Sequence, residues 1–419
     1  MFLNPHKILP FMAVLQPEDY GPAVYCLIIH APTDEDRKWL ESYRFPGPIR
    51  EAFRSDVHGK PSATGEFYSV FPVNGPDITW TQAFFYNRKT DRNMYKTLQL
   101  PGLLHKSTCC PALKKFIPRQ TYVHKNIRLQ YMDYLPEAYV LSRKGVRSTR
   151  KGTLPLIIWL HGMGEGGTDP SLVLLGNRVT ALAEATVQYY FPENGAAVLA
   201  PQCPTLWMDT NGKGKINDMD PSGSMGASYY TQALQGLIKK YLSAHPEIDR
   251  KRIYIGGCSN GGYMTLNMLL AMPGFFAAAF PICPAYNAMW MTPERIVEFS
   301  KVPMWITSAA TDQTVPLRDK NGNPAYADAL YEKLMAYAGT KTNNISGRGT
   351  PYGSITLPNL VYSRLPQVMD YDSRGLPYEY YGHWSWIPVL QDRITKEFDG
   401  EEIHLFEWMA SKHLEDEKE

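Results

Sequence analysis

One serine in this chain stands in a pattern that could make it a nucleophile. The run from Ile253 to Tyr263 reads IYIGGCSNGGY, which places Ser259 at the centre of a G-x-S-x-G pattern. A short β-branched and aromatic run precedes this pattern, and a segment with helical spacing follows it. We therefore predict a strand, a sharp turn and a helix, with Ser259 at the tip of the turn. Glycines beside a strained residue allow such a strand and helix to approach closely.

A serine hydroxyl is a poor nucleophile until a base takes its proton and a third group orients that base. Asp312 follows the apolar run 302–306, a predicted strand, and is the predicted orienting acid. A turn or capping aspartate is the alternative interpretation of this residue. His383 stands in a glycine-hinged segment before the last predicted helix and is the predicted general base. His404 and His413 lie in the terminal helical region and are poorer candidates.

A glycine-rich segment, HGMGEGG at 161–167, follows a continuous apolar run. A turn of this composition lets backbone N–H groups point towards the charge that develops on a substrate oxygen. We assign this oxyanion hole to the backbone N–H groups of Met163 and Asn260. His161 is interpreted as a brace for the loop rather than a second base. Glu165 is interpreted as a residue that stabilises the turn, with substrate binding as the alternative.

The six cysteines do not suggest a metal site. They are Cys26, Cys109, Cys110, Cys203, Cys258 and Cys283. They form no C-x-x-C pair and no zinc-like cluster with histidine, and we predict neither a metal nor an organic cofactor. Most are interpreted as free buried thiols, with a Cys203–Cys283 bridge left open. Cys258 precedes the central serine, where the turn should aim it into the sheet, so a cysteine nucleophile is disfavoured.

The predicted secondary structure of the chain changes in character near residue 112. Residues 1–112 are β-rich, and we predict a small β-sandwich there. From residue 113 onward, apolar runs alternate with helical segments, which predicts a mostly parallel sheet with helices on both faces. The N-terminal strand candidates are at 25–29, 67–71 and 78–85, with a polar helical insert at 34–45. The later apolar runs are at 154–160, 196–199, 253–255, 277–282 and 302–306, and the helical segments at 172–190, 227–244, 261–272 and 325–338.

Length and charge limit the class of protein. A chain of 419 residues is long enough for two domains. Lys and Arg number 43 against 41 Asp and Glu, without a dense basic run, so nucleic acid is not an expected partner. No run reaches the ~20 apolar residues that span a bilayer, and no secretory signal is visible. We therefore predict a cytoplasmic protein with no membrane partner, with secretion left open in case the N-terminus has been trimmed. The expected partner is a small-molecule substrate, and a homo-oligomer is left open.

Several motifs together resemble one enzyme family. They are 160–167, Pro201-Gln202-Cys203-Pro204, 257–261, Pro281-Ile282-Cys283 and Gly382-His383-x-x-Trp386. Over about residues 113–412 the chain resembles the α/β-hydrolases related to polyhydroxybutyrate depolymerases, feruloyl esterases and prolyl-oligopeptidase-like peptidases. The chain order of serine, aspartate and histidine is also that of an α/β-hydrolase triad. The resemblance implies an α/β-hydrolase fold and a serine hydrolase.

The N-terminal region, in which residues 18–24 open a strand, is similar to the immunoglobulin-like domain that precedes the hydrolase in EstA-type bacterial esterases. Compared with compact relatives, about 340–380 looks like an insertion that folds over the site. Some relatives bridge a cysteine beside the serine to one beside the histidine. Here no cysteine neighbours His383 in the sequence, so that bridge is not expected.

We therefore interpret the chain as a serine hydrolase of carboxylic esters, with short-chain acyl or aryl groups, that forms an acyl-enzyme. A serine peptidase acting on short peptides is the alternative, since it shares this machinery. A binding protein with a vestigial hydrolase is a third interpretation, disfavoured by the intact set of candidate residues. Four aromatic residues could line the substrate cleft, with core packing as an equal alternative. They are Trp207, Tyr286, Trp290 and Trp384.

Overall fold

The computed structural model describes residues 8–415, except 91, 138, 140–150, 192–194, 215–226 and 341–357. The chain forms two compact units. The N-terminal unit comprises Met1–Lys115, Leu175–Arg178 and Met369–Tyr378, and the C-terminal unit comprises the remainder. The first division falls at Lys115, close to the boundary that the sequence predicts at residue 112.

The N-terminal unit is built on one mixed sheet of five strands in the order β3-β4-β2-β1-β7. Its elements are β1 Leu9–Glu18, β2 Gly21–His30, α1 Asp34–Glu41, β3 Ile49–Ser55, β4 Phe67–Pro72, β5 Phe84–Asn87, β6 Arg92–Tyr95 and β7 Leu103–Cys109. Strands β1 and β7 pair in parallel, and the other pairs of this sheet are antiparallel. Strands β5 and β6 form a separate hairpin.

Burial along β1 alternates with the period of two that a half-buried strand requires. Leu9, Phe11, Ala13 and Leu15 all point into the core of this unit. The β-rich prediction is thus confirmed, although the strand expected at 78–85 begins only at Phe84. The two-sheet, immunoglobulin-like arrangement stays a prediction.

The C-terminal unit contains an eight-stranded sheet in the order β15-β14-β13-β12-β10-β11-β9-β8. Its strands are β8 Phe116–His124, β9 Ile127–Tyr134, β10 Leu154–Leu160, β11 Ala197–Gln202, β12 Ile248–Cys258, β13 Ala278–Ile282, β14 Met304–Ala309 and β15 Leu360–Leu365. The six strands from β15 to β11 run in parallel, and β9 and β8 add an antiparallel edge. The parallel sheet that the sequence predicts is confirmed.

Every residue of β10 is buried, which shows that both faces of the sheet are covered at this strand. Leu156, Ile158 and Leu160 join the larger hydrophobic core with residues of the long helices. Trp159, on the other face, packs against Phe280 with ring centroids 6.2 Å apart. The described helices of the unit are α2 Ser171–Gly176, α3 Ala185–Gln188, α4 Thr231–Ala244, α5 Asn260–Ala271, α6 Pro293–Phe299, α7 Tyr326–Thr340, α8 Trp386–Leu390 and α9 Leu405–Ala410. The single helix predicted at 172–190 is therefore two short helices, with a 3-10 turn at Val179–Ala183 between them.

The segment predicted as an insertion at about 340–380 includes part of the central sheet. Residues Leu360–Leu365 form β15, which pairs in parallel with β14 and is therefore part of the main fold. The hairpin of β16 (Val368–Tyr371) and β17 (Pro377–Tyr380) follows it. Residues 341–357 of the predicted insertion lie outside the described residues. A second hairpin, β18 (Thr395–Phe398) with β19 (Glu401–His404), precedes α9.

Within the described part of the chain, no helix combines the length and the apolar character needed to cross a bilayer.

Glycines determine how closely β12 and α5 can pack against the end of β10. A Cβ atom at Gly257 or Gly261 would overlap the carbonyl oxygen of Leu160. At Gly262 a Cβ atom would lie 2.8 Å from the carbonyl oxygen of Ile282, which is also too close. Because the neighbouring atoms belong to backbone, they cannot move aside as a flexible side chain could.

We predict that Gly261→Ala lowers the free energy of unfolding by at least ~1–3 kcal/mol, the usual cost of overpacking. The matched control is Gly339→Ala, since Gly339 lies in α7 and a Cβ atom there meets nothing within 4 Å. That control should leave stability unchanged or raise it by up to ~1 kcal/mol, because alanine favours helix. Urea unfolding followed by tryptophan fluorescence measures both, and equal stability of the two variants would contradict the packing argument.

Candidate active site

Ser259 occupies a strained turn at the carboxyl end of β12. Its backbone angles are φ 55° and ψ −113°, outside the regions that a residue with a side chain prefers. Its N–H donates to the carbonyl oxygen of Ile282 at 2.9 Å, and its own carbonyl accepts from the N–H groups of Tyr263 and Ala285. The side chain forms no cap with α5 and remains partly exposed. The strand, turn and helix predicted around this serine are therefore all present.

Asp312 and His383 form a buried pair. The Nδ1 atom of His383 lies 2.8 Å from Oδ2 of Asp312, although 71 residues separate them in the chain. The other carboxylate oxygen, Oδ1, accepts from the N–H groups of Thr314 and Val315, each at 2.8 Å. Asp312 follows the end of β14, as predicted, and these backbone donors fix its carboxylate. It thus holds the histidine, in addition to shaping its own turn.

The segment before α8 is packed so that His383 can reach this carboxylate. Gly382 lies so close to Thr311 that a Cβ atom would overlap the Thr311 carbonyl. The ring of Trp386 meets that of His383 nearly edge-on, with centroids 5.7 Å apart and planes at 87°. Tyr381 reaches back to Thr314, with their hydroxyl oxygens 2.9 Å apart. Contacts on either side therefore restrict the position of the imidazole.

Cys283 also belongs to this group, which the sequence analysis missed. Its Sγ atom donates to the carbonyl oxygen of His383 at 3.4 Å and interacts with the His383 side chain. One ligand atom each from Cys283, Asp312 and His383 lies within 4.8 Å of the others. The expectation that no cysteine neighbours His383 holds in the sequence and is wrong in space. The signal available was that Cys283 directly follows β13, whose carboxyl end lies between those of β12 and β14.

The surroundings of His383 favour its protonated form. Burial by itself lowers the pKa of this imidazole, but the adjacent Cys283 sulfur and the Asp312 carboxylate outweigh it. The pKa of His383 is therefore raised above the ordinary histidine value of 6.5. A base of this kind is neutral, and able to accept a proton, only at higher pH than a free histidine.

The loop after β10 is braced by His161, as predicted. His161 is fully buried; its Nε2 accepts from the N–H of Cys203 at 3.0 Å, and its Nδ1 lies 2.5 Å from the carbonyl oxygen of Gly162. The acceptor role of Nε2 fixes the neutral tautomer with the proton on Nδ1. Because both ring nitrogens of His161 are occupied by these contacts, His161 cannot serve as a second base.

Met163 begins a short 3-10 turn in that loop, and Asn260 is the first residue of α5. Among the described residues, neither backbone N–H has a hydrogen-bond partner. The side chain of Asn260 is held in place because its Oδ1 accepts from the N–H of Trp207 at 2.6 Å. Leu160 in β10 is paired with Gly257 in β12. The N–H groups of Met163 and Asn260 therefore follow the carboxyl ends of two adjacent strands.

Cys258 points away from the exposed side of the turn. It is fully buried, and its Sγ accepts from the N–H of Gly162. Burial raises the pKa of the Cys258 thiol well above its ordinary range, which disfavours the thiolate. All six cysteines are free, so the Cys203–Cys283 bridge that the sequence left open is not formed.

Three of the four aromatic residues considered for the cleft lie in the hydrophobic core. Trp207 and Tyr286 are 0% exposed and Trp290 is 3% exposed. Tyr286 also accepts a hydrogen bond from Arg295 at 2.8 Å. These contacts favour the packing interpretation for all three. Trp384, which is partly exposed and packs near Tyr380, is the remaining candidate to contact substrate.

Comparison with known proteins agrees with this architecture. Residues 142–339 match the family model of phospholipases and carboxylesterases. This range includes Met163, Ser259, Asn260 and Asp312, and it ends before His383. No curated protein has a significantly matching sequence.

Among solved structures, a thermostable esterase is similar over 96% of this chain and 99% of its own, with a TM-score of 0.65 and 18% identity. A ferulic acid esterase covers 60% of this chain and 90% of its own, with a TM-score of 0.40 and 13% identity. An S-formylglutathione hydrolase from Staphylococcus aureus covers 70% and 96%, with a TM-score of 0.38 and 14% identity. The first of these similarities shows that the chain has the α/β-hydrolase fold.

Proposed function

We propose that this protein hydrolyses carboxylic esters, with Ser259 as the nucleophile, His383 as the general base and Asp312 as the residue that orients the base. One observation carries the proposal. The strained serine at the end of β12 and the His383–Asp312 pair both lie against residues 282–285. The backbone of Ser259 forms hydrogen bonds with the backbone of Ile282 and Ala285. Between these two residues, the Sγ atom of Cys283 donates a hydrogen bond to the carbonyl oxygen of His383.

The reaction follows from the roles of these atoms. Asp312 accepts from the Nδ1–H of His383, which leaves Nε2 as the nitrogen with a lone pair. Nε2 takes the Ser259 proton as Oγ attacks the ester carbonyl carbon, and the carbonyl electrons move to its oxygen. The intermediate collapses, the carbon–oxygen bond to the alcohol breaks, and His383 returns the proton to that alcohol. Water then repeats the sequence, releases the acid and restores Ser259.

The oxyanion of each tetrahedral intermediate needs donors that are in place beforehand. The unpartnered N–H groups of Met163 and Asn260 suit this role, and the N-terminus of α5 adds its positive partial charge. Such a donor typically contributes ~3–4 kcal/mol of transition-state stabilisation. Because Asn260 is anchored through its side chain, its N–H needs no reorganisation when charge develops.

The family match supports an ester as the substrate, since that family is described as phospholipases and carboxylesterases. Our proposal specifies small esters with short acyl or aryl groups. Trp384, partly exposed beside the general base, is the aromatic residue that we expect nearest the substrate.

Replacing the nucleophile should abolish turnover. We predict that Ser259→Ala lowers kcat for p-nitrophenyl acetate or butyrate by about 10⁴-fold or more, since no acyl-enzyme can form. The same variant should lose covalent labelling by a fluorophosphonate probe. Release of p-nitrophenol and mass spectrometry of the labelled protein measure these two effects.

The matched control is Cys258→Ala, which removes the neighbouring nucleophilic atom and leaves the serine. It should keep probe labelling and kcat within about tenfold, because its thiol is buried. Full activity in Ser259→Ala together with inactivity in a folded Cys258→Ala would transfer the nucleophile to the cysteine and reject our assignment.

The pH profile should report the raised pKa of His383. Because the neutral imidazole is the active form, kcat/KM should rise with pH through a pKa above 6.5. Asp312→Asn removes a charge that favours the imidazolium, so the rising limb should move to lower pH while kcat falls by up to ~10⁴-fold. An unchanged limb in that variant would show that another group controls the profile.

Ester and amide substrates with the same acyl group separate the two hydrolase classes. An ester has the better leaving group, so either class would turn over a p-nitrophenyl or naphthyl ester, and we predict no measurable turnover of the matching aminoacyl amide. Turnover of the amide at a rate comparable to that of the ester would favour the peptidase alternative.

A further inference from the structure

Cys283, Asp312 and His383 bring a sulfur, a carboxylate oxygen and an imidazole nitrogen together in one buried group. Their ligand atoms lie within 4.8 Å of one another, and the residues are 0%, 3% and 8% exposed. The hydrolytic mechanism uses the aspartate and the histidine and leaves the thiol without a role. Thiolate, imidazole and carboxylate are the ligands that zinc prefers in proteins.

We propose that these three residues form a binding site for a thiophilic divalent cation such as Zn²⁺, and that the bound cation reversibly switches off hydrolysis. The binding stands by itself, and only the loss of activity rests on the proposed function. Three protein ligands would leave a fourth tetrahedral position for water.

The imidazole and carboxylate atoms would have to separate slightly to hold a zinc ion between them. Nδ1 of His383 and Oδ2 of Asp312 are 2.8 Å apart, whereas two such ligands of tetrahedral zinc lie ~3.3 Å apart. The metal would take the place of the proton that these two atoms share. On the sulfur side, the Sγ atom of Cys283 donates to the backbone carbonyl oxygen of His383, and it would have to turn from that oxygen towards the metal.

Cys283 is held where this site needs it. Its N–H donates to the carbonyl oxygen of Thr307 at 2.7 Å, which ties it to β14. Its φ of 35° is unusual for a residue with a side chain, and it directs the chain sharply away from the end of β13. The carboxylate is held equally firmly by the N–H groups of Thr314 and Val315. The backbone of Cys283 and the carboxylate of Asp312 are thus fixed before any metal arrives, and only the Cys283 side chain has still to turn towards it.

Metal binding has a definite effect on the catalytic histidine. A cation on Nδ1 uses the lone pair of that nitrogen, so the proton of the neutral ring must sit on Nε2. Nε2–H is a donor and cannot accept the Ser259 proton. The thiol loses its proton when the sulfur–metal bond forms, together with any proton that charges the imidazole, so binding releases protons to solvent.

The test uses the full-length protein, freed of metal with a chelator and kept reduced. Co²⁺ should bind with one ion per chain and show a thiolate-to-cobalt charge-transfer band, and Zn²⁺ should displace it. Zinc affinity is measured by competition with a chromophoric chelator. Cys283→Ser should lose the band and weaken zinc binding by at least about tenfold. Cys110→Ser, which removes a partly exposed thiol of the N-terminal unit, should change neither.

Zinc should also block fluorophosphonate labelling of Ser259 and ester turnover, and a chelator should restore both. Wild-type zinc affinity in a folded Cys283→Ser, or loss of binding in Cys110→Ser, would overturn the site. If Cys283→Ser fails to fold, the cobalt spectrum of the wild-type protein decides, because no charge-transfer band means no thiolate ligand. A protein without esterase activity that still binds one zinc through Cys283 would reject the proposed function and keep the site.

Discussion

The geometry of the site depends on how closely β10 and β12 are packed. Leu160 and Gly257 are paired in parallel register, so the loop at 161–167 and the turn at Ser259 leave the sheet side by side. The carbonyl of Leu160 fills the space that side chains at positions 257 and 261 would need. A steric constraint in the backbone, rather than any polar contact, thus sets the distance between the serine and the candidate oxyanion donors.

Features encoded by local pattern could be predicted from the sequence. The glycine spacing around Ser259 indicated the strand, the turn and the helix, since only residues without Cβ atoms permit this approach. Continuous apolar runs indicated a sheet buried on both faces, as β10 shows. The pairing of Asp312 with His383 could be predicted because the order of serine, aspartate and histidine along the chain is that of an α/β-hydrolase triad.

Features that depend on packing between distant segments could not be predicted from the sequence. Trp207, Tyr286 and Trp290 are apolar enough for a cleft or a core, and only the neighbours decide between the two. Cys283 is far from His383 in the chain, and the kinked backbone after β13 brings them together. Strand β15 was hidden by the polar, glycine-rich composition around it, which resembles that of a surface insertion.

The strained backbone of Ser259 has a consequence for how this protein could change over time. Its positive φ means that glycine would fit position 259 better than the serine does. Serine at this position therefore costs the fold some stability, a trade-off between stability and activity if Ser259 is the nucleophile that we propose. A lineage no longer selected for hydrolysis would gain stability by replacing Ser259 with glycine, so this serine would be among the first residues of the site to be lost.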